Sequence, residues 1–392
     1  MLMRLKRPWS TIEWLRLFYF VSSGGSAFIS PFMTLFYRQQ GMSGTQIGLL
    51  ATLSALTAMI IAPVWTRLGG AGDRLRRTLQ IMLFGTLLML LWLSQQTTFL
   101  TLAIVLCMLE LFSAAVTPAS DSLASGILAQ TPGDGFGSVR VFGSLGWALV
   151  AFLGGWLIQR TGMFSGFAAA AVGLGVSVLI LFRVRVPVAE ADNNREVGSQ
   201  RHWFSLAALH NPALLGFASA LSAYWLVQIG LINFEPIYMK QLGAGEAVIG
   251  LASTVGAAVE VGGMLLADRM VRRYGSKKVL SISFLISTAA MLLVLIFPAV
   301  ATILLIHAID GIAFSFLAVS SVVFISQSTR PQETATAMAL ITVTLYSLSS
   351  MIGSSLSGLV FDAFGAYWLY AIAMGGYLLA WLVLGRVRQS AA

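Results

Sequence analysis

The segment Phe136-Gly-Ser-Val-Arg140-Val-Phe142-Gly143-Ser144-Leu-Gly146-Trp147 sets a guanidinium near the start of a helix-length apolar run. The run before it, from about Phe99, carries a carboxylate in Pro118-Ala-Ser-Asp121. A charge inside a bilayer costs at least ~2.5–3.5 kcal/mol on insertion scales, so each needs a partner or a water-filled cavity. Opposite charges on consecutive helices therefore point to a polar site within a membrane.

The composition extends that reading to the whole chain. Its 392 residues are 57% hydrophobic and only 10% charged, against about 25% charged in soluble domains. A spanning helix needs about 20 apolar residues. Twelve such segments are expected, at 11–37, 44–68, 78–96, 98–129, 137–159, 163–183, 211–238, 246–270, 278–297, 299–327, 334–360 and 365–386. The runs are continuous and do not show the in/out alternation of about ten residues that a membrane β-barrel requires. The expected fold is an all-α integral membrane protein.

The formal charge of +9 does not call for nucleic acid. Basic residues in 4–7, 67–77, 183–201, 269–278, 330 and 386–388 fall at alternate helix junctions, whereas the opposite junctions offer Arg38, Arg160 and Lys240. This is the positive-inside pattern, and it predicts cytoplasmic termini in an inner (plasma) membrane, with anionic lipid facing the basic side. Cys107 is the single cysteine, which excludes an internal disulfide. The first segment reads as an uncleaved signal anchor. With three histidines not spaced for metal and no nucleotide-binding loop, neither an enzyme nor a cofactor is expected.

The longest polar connection, Arg183 to His210, separates six segments from six. The expected organisation is a bundle over 1–183, a cytoplasmic linker over 184–210 and a second bundle over 211–392. An internal repeat supports it. Tyr37-Arg-Gln-Gln40-Gly41, with Gly44 and Ile47-Gly48-Leu49, echoes Tyr238-Met-Lys-Gln241-Leu-Gly243, with Ile249-Gly250-Leu251. Leu153-Gly154-Gly155-Trp156 before Gly162 likewise echoes Leu356-Ser357-Gly358-Leu359 before Gly365. Parallel halves imply a pseudo-two-fold axis along the membrane normal, with a substrate site between them near the midplane.

Between the second and third segments, Gly69-Gly-Ala-Gly-Asp73-Arg74-Leu75-Arg76-Arg77 resembles the signature loop of the major facilitator superfamily, without its second glycine. Arg272-Arg273-Tyr274-Gly275-Ser-Lys277-Lys278 is similar to a degraded copy in the second half. The resemblance implies a gating role for Asp73, Arg74 and Arg77. A positive-inside anchor is the plainer alternative for the arginines.

The pattern around Asp121 and Arg140 resembles the lactose permease and phenylpropionate permease branch of that superfamily. There, the matching acid and arginine hold sugar hydroxyls and the tryptophan matching Trp147 stacks on the sugar ring. The chemistry agrees, since a carboxylate accepts while a guanidinium donates in a fixed fork. A salt bridge that only fixes helix packing is the alternative. His307-Ala-Ile-Asp310 sits three residues apart on one helical face. A desolvated carboxylate beside an imidazole titrates near neutral pH, as a proton-driven carrier requires. The resemblance assigns the coupled proton to such an acid.

Glu260 matches an acid of the phenylpropionate permease branch, whereas Ala257 stands where the lactose permease has its own, and no Lys or Arg occurs between Lys278 and Arg330. Glu110 reads as a relay or as a residue reaching to the outer interface. Glu235, before Pro236, reads as a gate or interface residue. Trp9, Trp14, Trp203 and Trp368 read as interfacial anchors, and His202 and His210 as solvated loop residues. The expected function is a monomeric proton-coupled symporter importing a sugar or glycoside, a nucleoside or an aromatic carboxylate. A proton-driven exporter and a non-transporting receptor are the alternatives.

Overall fold

The computed structural model describes residues 9–131, 135–186 and 211–387. The 184–210 linker falls almost wholly outside these residues, as do Trp203, His202 and His210. Among these residues, twelve helices follow one another up and down. The first half holds α1 (Thr11–Ala27, a tight turn Ser30–Phe32, then Met33–Gln39), α2 (Gly44–Gly69), α3 (Gly72–Leu93), α4 (Phe99–Ser113 and Val116–Leu128), α5 (Phe136–Thr161) and α6 (Met163–Leu181). The second half holds α7 (Pro212–Gln241), α8 (Glu246–Tyr274), α9 (Ser276–Ile296), α10 (Val300–Gln327), α11 (Pro331–Met338, Ala339–Leu345 and Tyr346–Phe364) and α12 (Ala366–Arg386).

Among the described residues, eleven helices are long and apolar enough to cross a membrane. The exception is α1, expected as one run over 11–37. Pro31 lies in its tight turn and has no N–H to continue an α-helical ladder. Two further departures are internal. The α4 helix is interrupted at Ala114–Ala115, so Glu110 and Asp121 lie on separate pieces and helical spacing no longer fixes their separation. The middle of α11, Ala339–Leu345, is wound as a π-helix, a form that recurs near functional sites.

Within the halves, α1 packs on α5 and α6, α7 on α12, and α10 on α8 and α9; α2 with α11 and α5 with α8 join one half to the other. Apolar burial drives little helix association in lipid, so close contact relies on small residues. A Cβ on Gly48 would meet the Ser354 carbonyl at 2.3 Å, and one on Gly250 the Ala151 carbonyl at 2.2 Å. Gly155 and Gly358 are wedged in the same way against Glu246 and Gly44. All four contacts lie at the end of the bundle away from Thr11 and Arg386. Toward the opposite end, Gly137 on α5 and Gly262 on α8 have nothing within 4 Å of a Cβ position.

Candidate functional site

Glycines place the first charged group. Positions 143 and 146 face α1, where a Cβ on Gly146 would lie 2.1 Å from the Phe20 carbonyl and one on Gly143 2.9 Å from Ser23 Oγ. The resulting close approach brings Arg140 to Asp121 and Tyr19. Arg140 Nη1 donates to Asp121 Oδ1 at 3.0 Å and Oδ2 at 3.4 Å. The Tyr19 hydroxyl donates to Asp121 Oδ1 at 2.7 Å, and the guanidinium lies 6.0 Å from the Tyr19 ring centre. The Arg140 and Asp121 side chains keep 49% and 33% exposure, so the pair faces the open cleft between the halves and is not sealed among helices. The expected pairing is present. Tyr19 was absent from it, because a tyrosine in an apolar helix carries no signal of its partner.

Deeper in, a cavity of about 600 Å³ takes its walls from both halves. The first half contributes Ser26, Tyr37, Ser54, Glu110 and Trp147, and the second Asn233, Glu235, Ser253 and His307. A smaller cavity of about 450 Å³ adjoins it, sharing Ser54, Glu110 and Asn233 and continuing along Ser347, Ser350 and Ser354 of α11. Among the described residues, no lysine or arginine lines either cavity. Glu110 is held inward, accepting from Ser54 Oγ at 2.5 Å and Ser113 Oγ at 2.9 Å, so it does not reach to an outer interface.

The second-half cluster differs from the expected one. His307 Nε2 lies 2.6 Å from Glu235 Oε1, and the Tyr370 hydroxyl donates to Glu235 Oε2 at 3.2 Å. Asp310 makes no hydrogen bond or ion pair among the described residues, although it stays within electrostatic range of His307 and Glu235. The reading of His307 and Asp310 as a proton-sharing pair is thus corrected. Helical spacing put both on one face, and the face turns the imidazole toward α7. Glu235, read as a gate or interface residue, is its partner. Glu260 lies within electrostatic range of Arg140 across the cleft.

The signature-loop residues form local pairs. Asp73, in the first turn of α3, meets Arg76 Nη2 at 2.6 Å and Arg77 Nε at 2.9 Å. Arg74 folds its stem over Gly70, and Arg76 Nη1 reaches the Val184 carbonyl at 3.2 Å. Among the described residues, no group of His, Cys, Asp and Glu is arranged to hold a metal ion.

Residues 12–372 match the model of the MFS_1 like family. The maltose permease of Geobacillus stearothermophilus is 25% identical over 380 residues, covering 95% of this chain and 88% of that protein. A putative sugar efflux transporter of Deinococcus radiodurans is 25% identical over 350 residues, with 87% of each chain covered. Among solved structures, a point mutant of the nucleoside transporter NupG superposes with a TM-score of 0.84 at 15% identity, covering 97% of this chain and all of that one. The chain belongs to the MFS_1 like family. It is a multi-pass membrane transporter of the major facilitator fold and not an enzyme.

Proposed function

We propose that this member of the MFS_1 like family is a proton-coupled symporter importing a neutral, hydroxyl-rich solute, either a sugar or glycoside or a nucleoside. The observation that carries the reading is the cavity shared by both halves, with Trp147 and Glu110 on one wall and Asn233, Glu235 and His307 on the other. Carboxylates accept from hydroxyls, an amide does both, and an indole face suits a sugar or base ring. An aromatic carboxylate fits less well. Among the described residues the cavity walls hold two glutamates and no arginine or lysine, and the Arg140 guanidinium is already engaged by Asp121.

In this reading Trp147 contacts the solute in the cavity, and Asp121 and Arg140, which line neither cavity, contact it from the cleft, with Tyr19 orienting Asp121. His307, Glu235, Asp310 and Glu260 form the proton-handling set, with His307 and Glu235 in direct contact and Asp310 within electrostatic range of both. Asp73, Arg74 and Arg77 belong to the gate at the end that is open in this structure. The basic residues gather at that end, so the positive-inside rule makes it cytoplasmic and the cavity inward-open. Alternating access then follows from the halves rocking about the cavity.

A second reading is export of such a solute, favoured by the match, at the same 25% identity but over a shorter 350 residues, to a protein named as a putative sugar efflux transporter. One assay separates them. External pH is followed in lightly buffered, de-energised cells as sugars, nucleosides and aromatic acids are added in turn. Import with protons alkalinises the medium on adding a sugar or nucleoside, and Asp310→Asn abolishes the signal. A response to aromatic acids alone, or to nothing in cells holding folded protein, rejects the proposal.

A further inference from the structure

At the closed end, the N-termini of α2 and α8 are each capped from the opposite half. The first few N–H groups of a helix have no partner within it, and they carry the positive end of the helix dipole. In α2, Ser43 Oγ takes the Gln46 N–H at 3.2 Å. The two N–H groups before it are taken by Asp362 from the last turns of α11. Gly44 N donates to Oδ1 at 2.6 Å, and Thr45 donates to Oδ2 from both N and Oγ1 at 2.7 Å. In α8, the N-cap Gly245 has no side chain to offer. The Ala247 N–H instead donates at 3.0 Å to Oε1 of Gln159, from the last turns of α5.

These two caps are copies of one another. Gly155 and Gly358 echo each other across the two halves 203 residues apart, and the same spacing carries Gln159 onto Asp362. Both glycines press on the start of the helix being capped: an added Cβ would lie 2.2 Å from the Glu246 carbonyl at Gly155 and 2.4 Å from the Gly44 carbonyl at Gly358. The repeat has kept the geometry and changed the chemistry, with a carboxylate making three bonds on one side and an amide making one on the other. Hydrogen bonds to an ionised acceptor are roughly twice as strong as neutral ones. Opening this end leaves both sets of N–H groups to water.

We propose that Asp362 and Gln159 are an unequal pair of cross-half latches that set the fraction of molecules closed at this end. Asp362 is the main latch, and the α5–α8 side parts first. No solute and no membrane orientation enters the argument, so it stands apart from the transport reading.

The test measures distances between nitroxides by pulsed electron resonance on the solubilised full chain. Labels go on Gln39→Cys and Gln241→Cys, one in each half at this end, in a Cys107→Ser background. Asp362→Asn is expected to raise the long-distance population up to about tenfold, the loss of one charge-assisted contact. Adding Gln159→Glu to Asp362→Asn supplies a carboxylate at the copied position and is expected to return most of that population to the short distance. An unchanged distribution in Asp362→Asn overturns the proposal. So does a double variant no more closed than the single one, and because that arm reads a regain, general loss of folding cannot mimic support.

Discussion

Gly250→Ala tests the closed contact most directly. The new Cβ would lie 2.2 Å from the Ala151 carbonyl oxygen, 2.9 Å from its carbon and 3.2 Å from Phe152 Cα, all backbone atoms of the opposite half that cannot rotate aside. Ordinary contact lies near ~3.5 Å, so α5 and α8 must part by about 1 Å at this point. The neighbouring bond from Thr254 Oγ1 to the Ala148 carbonyl, 2.5 Å long, then stretches toward the limit of a hydrogen bond. Overpacking costs about 1–3 kcal/mol and the weakened bond about 0.5–1.5 kcal/mol. Together, about 1.5–4.5 kcal/mol moves against the closed end, a shift of about 10- to 2,000-fold in the equilibrium. Gly262→Ala, on the same helix with nothing within 4 Å, is the control. The assay is alkylation of Ser26→Cys, a cavity residue, in a Cys107→Ser background, by an impermeant maleimide added from the side of residues 40–43. Gly250→Ala should label at least about ten times faster than the parent and Gly262→Ala at the parental rate. Equal rates in both variants would refute the reasoning.

Asp310→Asn should abolish uphill accumulation while sparing counterflow exchange, since exchange needs no net proton release; loss of both would make Asp310 a structural or solute-binding residue. Asp121→Ala and Arg140→Ala should each remove solute binding measured by equilibrium dialysis, and Tyr19→Phe should weaken it about 10- to 150-fold, the worth of one hydrogen bond to a charged group. Normal affinity in either charge variant places the solute elsewhere. Asp73→Asn breaks two pairs within the first turn of α3, each worth about 0.2–0.5 kcal/mol. It should barely move the unfolding temperature in detergent yet slow uptake if the loop is a gate, and unchanged uptake would leave the loop as an anchor.

The helices were legible because a bilayer admits only long apolar helices in such a sequence, and each must satisfy its own backbone. None of the breaks was read from the sequence, and only one has a residue that forces it. Pro31 explains the turn in α1, whereas nothing in Ala114-Ala115 announces the interruption of α4, and nothing in Ala339–Leu345 announces π winding. The same division runs through the site. Asp121 and Arg140 stood out because charge in a membrane demands a partner, and they partner each other. His307 and Asp310 share a face by spacing, but spacing does not say which neighbour that face addresses. The neighbour is Glu235, set aside because Pro236 and its place near the end of α7 suggested a gate.

The internal repeat separates two kinds of constraint. Its echoes survive at Gly48 and Gly250, at Gly155 and Gly358, and at Gln159 and Asp362, all where one half must close on the other. Closure asks the same of both halves, namely close backbones and covered helix ends, so both halves retain the same answer. Among the charged groups of the Asp121–Arg140 and Glu235–His307 clusters the echo is gone. The first half brings Asp121, Arg140 and Trp147, the second Glu235, His307 and Asp310, with no counterpart between the sets. In the proposed symport, an asymmetric solute and a proton would ask different things of the two walls. In this fold a recurring residue therefore marks the moving contact, and an unmatched charge on one side marks the chemistry.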